Sequence, residues 1–160
     1  MLVSAVEEAE LRFLLVDRIV SWTPEGVIRG TKNVAMTEDV LEHHFPGRPV
    51  MPGSLLLEAL VQLAGWLEAA SSDFEHWFLV DRVRRCGFYD FALPGDQVEL
   101  EVRATEVDSE GRRAYRGIGR ASGSKRITAD FEGRLVELAE LEDPEAHRRL
   151  FAQLTGDGGW

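Results

Sequence analysis

The residues with the clearest capacity for chemistry lie between His43 and Glu58. The segment His43-His44-Phe45-Pro46-Gly47-Arg48-Pro49-Val50-Met51-Pro52-Gly53 packs three prolines and two glycines around two histidines. Proline fixes φ, so such a loop holds its backbone stiffly and can aim an imidazole. Gly53 opens an apolar helical pattern, which leaves its amide among the unpaired N–H groups at the positive end of a helix dipole. That amide is a ready donor to an oxyanion or a polarised carbonyl. Glu58 is the only charged side chain from Gly53 to Leu67. A helix apolar almost all round is buried on more than one side, so Glu58 is expected to be buried as well. Buried carboxylates keep their protons closer to neutral pH, as a proton donor must. Taken singly, each residue has a plainer reading: a loop histidine is often structural, and an acid can simply pair with an arginine. Together, a histidine, a helix-start amide and a buried acid describe proton abstraction beside a carbonyl with protonation of a leaving group.

The elements that must position these groups follow from periodicity. Residues 13–20 are apolar and β-prone, Thr23-Pro24-Glu25-Gly26 supplies a turn, and Val27 to Val34 completes a leading hairpin. A short helix is expected from Thr37 to Leu41. Leu56, Leu60, Leu63 and Leu67 form one helical stripe, while Ser54, Glu58, Val61 and Gly65 occupy the opposite face. That second face predicts cover by another subunit, hence at least a dimer. Beyond the helix the period becomes two, with Val98, Leu100, Val102 and Ala104 alternating with polar residues after a Leu93-Pro94-Gly95-Asp96 turn. Two more strands follow, the last alternating at Ile127, Ala129, Phe131 and Leu135. Asp143-Pro144 marks an N-cap and first helical position for a terminal helix ending near Leu154. Hairpin, one long helix, then antiparallel strands is an α+β order, met by a sheet wrapped around a central helix. One domain is expected over residues 1–155, with 156–160 as a flexible tail.

Composition narrows the function classes. The net charge of -10 disfavours wholesale binding to nucleic acid or anionic lipid. No window reaches the roughly 18 apolar residues of a membrane span, and residues 1–8 lack the basic start and apolar stretch of a secretory signal. Cys86 is the only cysteine, which excludes an intramolecular disulfide and suits a reducing, cytoplasmic setting. Glu42, His43 and His44 are adjacent on a proline-rich loop and seldom converge on one ion, so no metal site is expected.

The run His44-Phe45-Pro46-Gly47-Arg48-Pro49-Val50-Met51-Pro52-Gly53, followed by Leu55-Leu56-Leu57-Glu58-Ala59-Leu60-Val61-Gln62-Leu63-Ala64-Gly65, closely resembles the β-hydroxyacyl-acyl-carrier-protein dehydratases of the FabZ type. Leu14 to Ile19, Lys32-Asn33-Val34 and Leu93 to Gln97 are similar to the family too, so the resemblance covers most of residues 13–137. It implies a hot-dog fold and dimers, often trimers of dimers, with each active site joining the histidine of one subunit to the acid of the other. It implies no cofactor, and an acyl carrier protein bearing a 3-hydroxyacyl phosphopantetheine as partner. By the same resemblance His44 takes the C2 proton, Glu58 orients or protonates the departing hydroxyl, and the Gly53 amide bonds the thioester carbonyl.

The chain also departs from the family. His43 stands where a glycine usually precedes the histidine, and Ser54 where an apolar residue is usual. Gly87-Phe88-Tyr89-Asp90-Phe91 replaces a segment that is typically basic around a phenylalanine and meets the acidic carrier. Arg82, Arg84 and Arg85, helped by Arg48, are therefore expected to take over that role, against the plainer reading of a solvated strand face. Phe74, Trp77, Phe78, Phe88, Tyr89 and Phe91 concentrate near the expected substrate tunnel, although core packing explains them equally well. A hot-dog thioesterase and a non-catalytic acyl-binding subunit are the alternative functions.

Overall fold

The computed structural model describes residues 13–157. Expectations about the N-terminal start and about residues 158–160 of the tail lie outside the described residues. The elements are β1 (Arg18–Trp22), β2 (Val27–Asn33), α1 (Val40–His43), α2 (Gly53–Ser71), β3 (His76–Phe88), β4 (Gln97–Val107), β5 (Arg113–Ala121), β6 (Ser124–Glu137) and α3 (Pro144–Thr155), with a short 3₁₀ turn at Leu138–Glu140. All strand pairs are antiparallel, in the order β1-β2-β4-β5-β6-β3. This is the α+β arrangement expected, with a sheet curled around α2.

Alternation on the central strands builds the core. Val98, Leu100 and Val102 of β4, and Ile127, Ala129 and Phe131 of β6, are buried with Leu56, Leu60, Leu63 and Leu67 of α2. Each such leucine contributes about 1.5–3 kcal/mol by leaving water. The sheet closes tightly on the helix at Gly117 of β5, where a Cβ would lie 2.9 Å from Leu60 Cδ1. The Leu93–Asp96 turn forms as expected, with Gly95 at φ 94° and the Asp96 N–H on the Leu93 carbonyl at 2.9 Å. The Asp143 carboxylate caps α3 by accepting the Glu145 N–H at 3.0 Å, and Gly156 ends it at φ 81°.

Several expectations are corrected. The hairpin begins at Arg18 and not near Phe13, because the backbone of Phe13 and Leu15 bonds the side chain of Gln62 on α2 in place of a strand ladder. The short helix is Val40–His43, and α2 runs four residues past Leu67 to Ser71. The thirteen-residue β3 was not placed by periodicity, because it is the edge of the sheet and every side chain from Val80 to Arg85 is exposed. Val61 and Gly65, assigned above to a partner-facing surface, are buried within their own chain. A Cβ at Gly65 would collide with the ring of Trp77 from β3, so this glycine serves an internal contact.

A buried acid is present on α2, but it is Glu68, one residue beyond the apolar stretch. Glu68 and Tyr115 are both almost fully buried, and the Tyr115 hydroxyl donates to Glu68 Oε1. Burial first, and the Glu68 carboxylate second, push the Tyr115 phenol well above its ordinary value of 10.0. The folded protein thus keeps a proton that the unfolded chain gives up above about pH 10. The stabilisation is complete below pH 10 and falls as pH rises further, by about 1.4 kcal/mol per unit. Tyr115→Phe should lower stability at pH 8 by about 1–3 kcal/mol, since it leaves the buried carboxylate without its donor. It should also remove part of the alkaline loss, which urea midpoints from pH 8 to pH 11 for both proteins would measure.

Candidate active site

His44 sits at the end of α1, where the loop to α2 begins. The loop is tied back on itself: the Phe45 and Arg48 N–H groups bond each other's carbonyls at 3.1 and 2.9 Å, with Gly47 at φ 75°. The Val50 N–H then bonds the His44 carbonyl at 2.8 Å, and the Met51 N–H reaches the Ala92 carbonyl at 2.9 Å. These bonds hold a half-buried imidazole whose Nδ1 lies 2.8 Å from the Val50 carbonyl oxygen. A carbonyl can only accept, so Nδ1 carries the hydrogen and the Nε2 lone pair is left to act as a base. The ring stacks on Phe45 at 4.1 Å between centroids. His43 is exposed beside it and does not line the cavity described next.

His44 and Gly53 share a cavity of about 620 Å³ together with Val50, Met51, Leu56 and the wall Phe88 to Ala92. The helix start faces this space without a side-chain cap. Gly53 is the first residue of a nineteen-residue helix and its N–H bonds no acceptor among the described residues, so it stands as a donor at the positive end of that helix. Phe88 packs directly on Gly53, where a Cβ would lie 2.5 Å from its ring. A larger residue at 53 would push the wall away from the helix start.

Glu58 lies elsewhere. It is half-buried in the single chain, not buried as expected, and it does not line the cavity that holds His44. The N-terminal half of α2 is left uncovered on this side, with Ser54, Leu55, Leu57 and Glu58 all partly or fully accessible, whereas the C-terminal half is enclosed by β3. Gln62 Nε2 donates to Glu58 Oε1 at 3.1 Å and also to the Phe13 carbonyl at 2.9 Å, while Gln62 Oε1 accepts the Leu15 N–H at 2.9 Å. One chain therefore carries the His44 imidazole and the helix-start amide of Gly53 in one place, and the Glu58 carboxylate, bonded by Gln62, in another.

Of the aromatic residues expected near a tunnel, Phe88, Tyr89 and Phe91 do line the cavity. Phe74, Trp77 and Phe78 do not; Phe78 packs on Tyr115 and Phe131 in the core, Trp77 packs on Trp66 of α2 and His147 of α3, and Phe74 on Phe151 of α3. Arg82 and Arg84 stand on the exposed edge strand within 3.6 and 2.5 Å of the buried Glu132 carboxylate. Arg48 and Arg85 are exposed and form no ion pair among the described residues. Gln62 escaped the sequence reading, although its place four residues after Glu58 puts both on one helix face. The Val50 carbonyl and the wall's attachment to β6 left no signal, since they depend on how the loops fold back.

The full sequence matches the FabA-like domain family over residues 8–131. It is 44% identical over 99 residues to a 3-hydroxyacyl-[acyl-carrier-protein] dehydratase FabZ of Geobacter metallireducens, an overlap of 58% of this chain and 64% of that protein. With the FabZ of Shewanella woodyi it shares 36% identity over 135 residues, 81% of this chain and 80% of the relative. The chain thus spans just under two thirds of the first of these relatives and four fifths of the second. A hot-dog-like protein of known structure from Thermanaerovibrio acidaminovorans superposes with a TM-score of 0.60 at 20% identity, covering 78% of this chain and 92% of that one, which shows the shared fold. On these grounds the chain belongs to the FabA-like domain family, is FabZ-like in sequence and has the hot-dog fold.

Proposed function

We propose that this chain is a 3-hydroxyacyl-[acyl-carrier-protein] dehydratase that releases a trans-2-enoyl thioester. The observation that carries the proposal is the pairing, in one cavity, of an imidazole with its Nδ1 committed to Val50 and an uncapped helix-start amide at Gly53. With the thioester carbonyl on the Gly53 amide, negative charge that develops on oxygen meets a fixed donor at a helix dipole. His44 Nε2 takes the C2 proton, the C3–O bond breaks, and the departing hydroxyl leaves as water once Glu58 supplies a proton. The electron pair of the broken C–H bond becomes the new C2–C3 double bond. The returning proton regenerates Glu58 from His44 in the resting state, so the step balances with water as the only other product.

Because Glu58 does not line its own chain's cavity, the acid is proposed to come from a second copy. The uncovered N-terminal half of α2 and the open edge strand β3 support a homodimer, and a trimer of dimers is the further assembly the reading allows for. The acidic carrier is proposed to dock on Arg48, Arg82, Arg84 and Arg85, since a chain of net charge -10 needs a local positive patch to receive it. Arg48 and Arg85 are the stronger members, because Glu132 already neutralises part of the charge on Arg82 and Arg84. A cytoplasmic setting belongs to the same proposal and is supported by a single cysteine. None of the described helices is long and apolar enough to cross a membrane.

Mass spectrometry of a panel of 3-hydroxyacyl thioesters tests the reaction class. The expected product has lost the mass of one water and keeps its thioester. Release of free thiol would mean a thioesterase, and an unchanged panel a binding subunit; either result overturns the proposal.

A further inference from the structure

Arg126 is an unusual residue for its place. On β6 the neighbours Ile127, Ala129 and Phe131 are core side chains, whereas Arg126 and Thr128 take the opposite face, and Arg126 is nonetheless only 8% exposed. The cavity wall is attached to it. The Tyr89 N–H donates to the Arg126 carbonyl at 3.0 Å, and Arg126 Nη1 lies 3.6 Å from Asp90 Oδ2. The Tyr89 hydroxyl lies 3.2 Å from Thr128 Oγ1, and Lys125 Nζ stands 5.6 Å from the centre of the Tyr89 ring. Asp90 Oδ1 in turn accepts the Phe91 N–H at 2.8 Å. A continuous path therefore runs from the guanidinium through Asp90 to Phe91, a wall residue of the cavity. Holding Arg126 there costs stability, because its buried Nε has no partner. An apolar side chain would cover the same strand face without that cost; what the guanidinium adds is its pair with Asp90 and a bond from Nη1 to the Ser124 carbonyl at 3.5 Å.

We infer that Arg126 is a positioning residue that clamps Asp90 and thereby sets where the Phe88–Phe91 wall stands, which makes it a determinant of the acyl chain the cavity accepts. This rests on the reading that the cavity takes the acyl chain of the thioester. Arg126 touches no reacting atom. Its effect is on the width of the space between Phe88, Phe91 and the start of α2, where Phe88 already meets Gly53.

The test uses Arg126→Met, which keeps an unbranched stem and removes the charged guanidinium, and Asp90→Asn, which breaks the same pair at an exposed residue and leaves the sheet untouched. Steady-state kinetics on 3-hydroxyacyl thioesters of increasing chain length should show KM shifting by about tenfold between the shortest and longest chains relative to wild type, with kcat changing by about twofold at most. Asp90→Glu should restore much of the wild-type ranking. Hydrogen exchange supplies a readout independent of turnover: amides of residues 89–92 should exchange faster in Arg126→Met and Asp90→Asn, with α2 unchanged. A uniform loss of kcat at every chain length, or an unaltered ranking, overturns the inference. If the wild type dehydrates no member of the panel, it is the proposed function that fails, and exchange alone then decides whether Arg126 holds the wall: unchanged protection of residues 89–92 overturns it.

Discussion

Replacing His44 with alanine is expected to lower dehydration by about 10²- to 10⁴-fold while leaving a folded protein. The imidazole contributes one hydrogen bond to the Val50 carbonyl and a stack on Phe45, so its removal costs the fold only about 1 kcal/mol. The loop keeps its other ties, from Phe45 to Arg48 and from Val50 to His44, because those are made by backbone atoms. Glu58→Gln preserves shape and the approach of Gln62, and removes only the transferable proton, so it should cost about 10²-fold or more. His43→Ala is the internal control. His43 is exposed and outside the cavity, and its loss should change turnover by less than about threefold, in keeping with surface substitutions. Measured kcat/KM for the three variants, with circular dichroism to establish folding, decides the matter: near-normal turnover in His44→Ala or Glu58→Gln would remove that residue from the mechanism.

What the sequence made legible was whatever depends on nearest neighbours and on period. The alternation of Val98, Leu100 and Val102, the four-three-four spacing of the α2 leucines, the Asp143-Pro144 cap and the Leu93–Asp96 turn all reappear, since each is decided within a few residues. The strand β3 was not legible because an edge strand buries few of its side chains and so lacks the alternation that marks a strand. The acid expected to be buried on α2 was Glu58, but in the single chain it is half-buried and the enclosed acid is Glu68. Glu58 and Glu68 lie on one helix, and which of them is enclosed depends on where β3 and β5 cross it; Tyr115 and Trp77, both far away in sequence, enclose the C-terminal half. Gly65 shows the same limit: a small residue signals a close neighbour without saying whether that neighbour is the same chain. The start of α2 at Gly53 was legible through the Pro and Gly content of the loop before it, whereas the cavity that Gly53 shares with His44 was not, because its other wall comes from Phe88 to Ala92. The clamp at Arg126 was not, because it joins a strand to a segment more than thirty residues earlier through one carbonyl and one ion pair.

Mixing two inactive variants should restore activity, and this result bears most directly on the way the site is assembled. In one chain the His44 cavity contains the imidazole and the Gly53 amide, while Glu58 projects from an uncovered stretch of α2 outside that cavity. The half-exposed carboxylate accepts a hydrogen bond from Gln62, which also bonds Phe13 and Leu15, so its orientation is tied to theirs. An oriented acid facing outward is what a site shared between two copies requires. If the copies are related by a two-fold axis, each His44 meets the other copy's Glu58, and two equivalent sites form. A heterodimer of His44→Ala with Glu58→Gln then contains one site with both substitutions and one with neither. After dissociation and reassociation of an equal mixture, half of the dimers are expected to be mixed, each with one intact site of two, so about a quarter of wild-type activity should return. From parents reduced by about 10²-fold each, this is a rise of about 25-fold, well above assay error. Dimers locked by tagging each variant separately and purifying on both tags should reach about half of wild-type activity. A site built within one chain predicts something different: every subunit of the mixture carries a defect, and activity stays at the level of the parents however the subunits are exchanged.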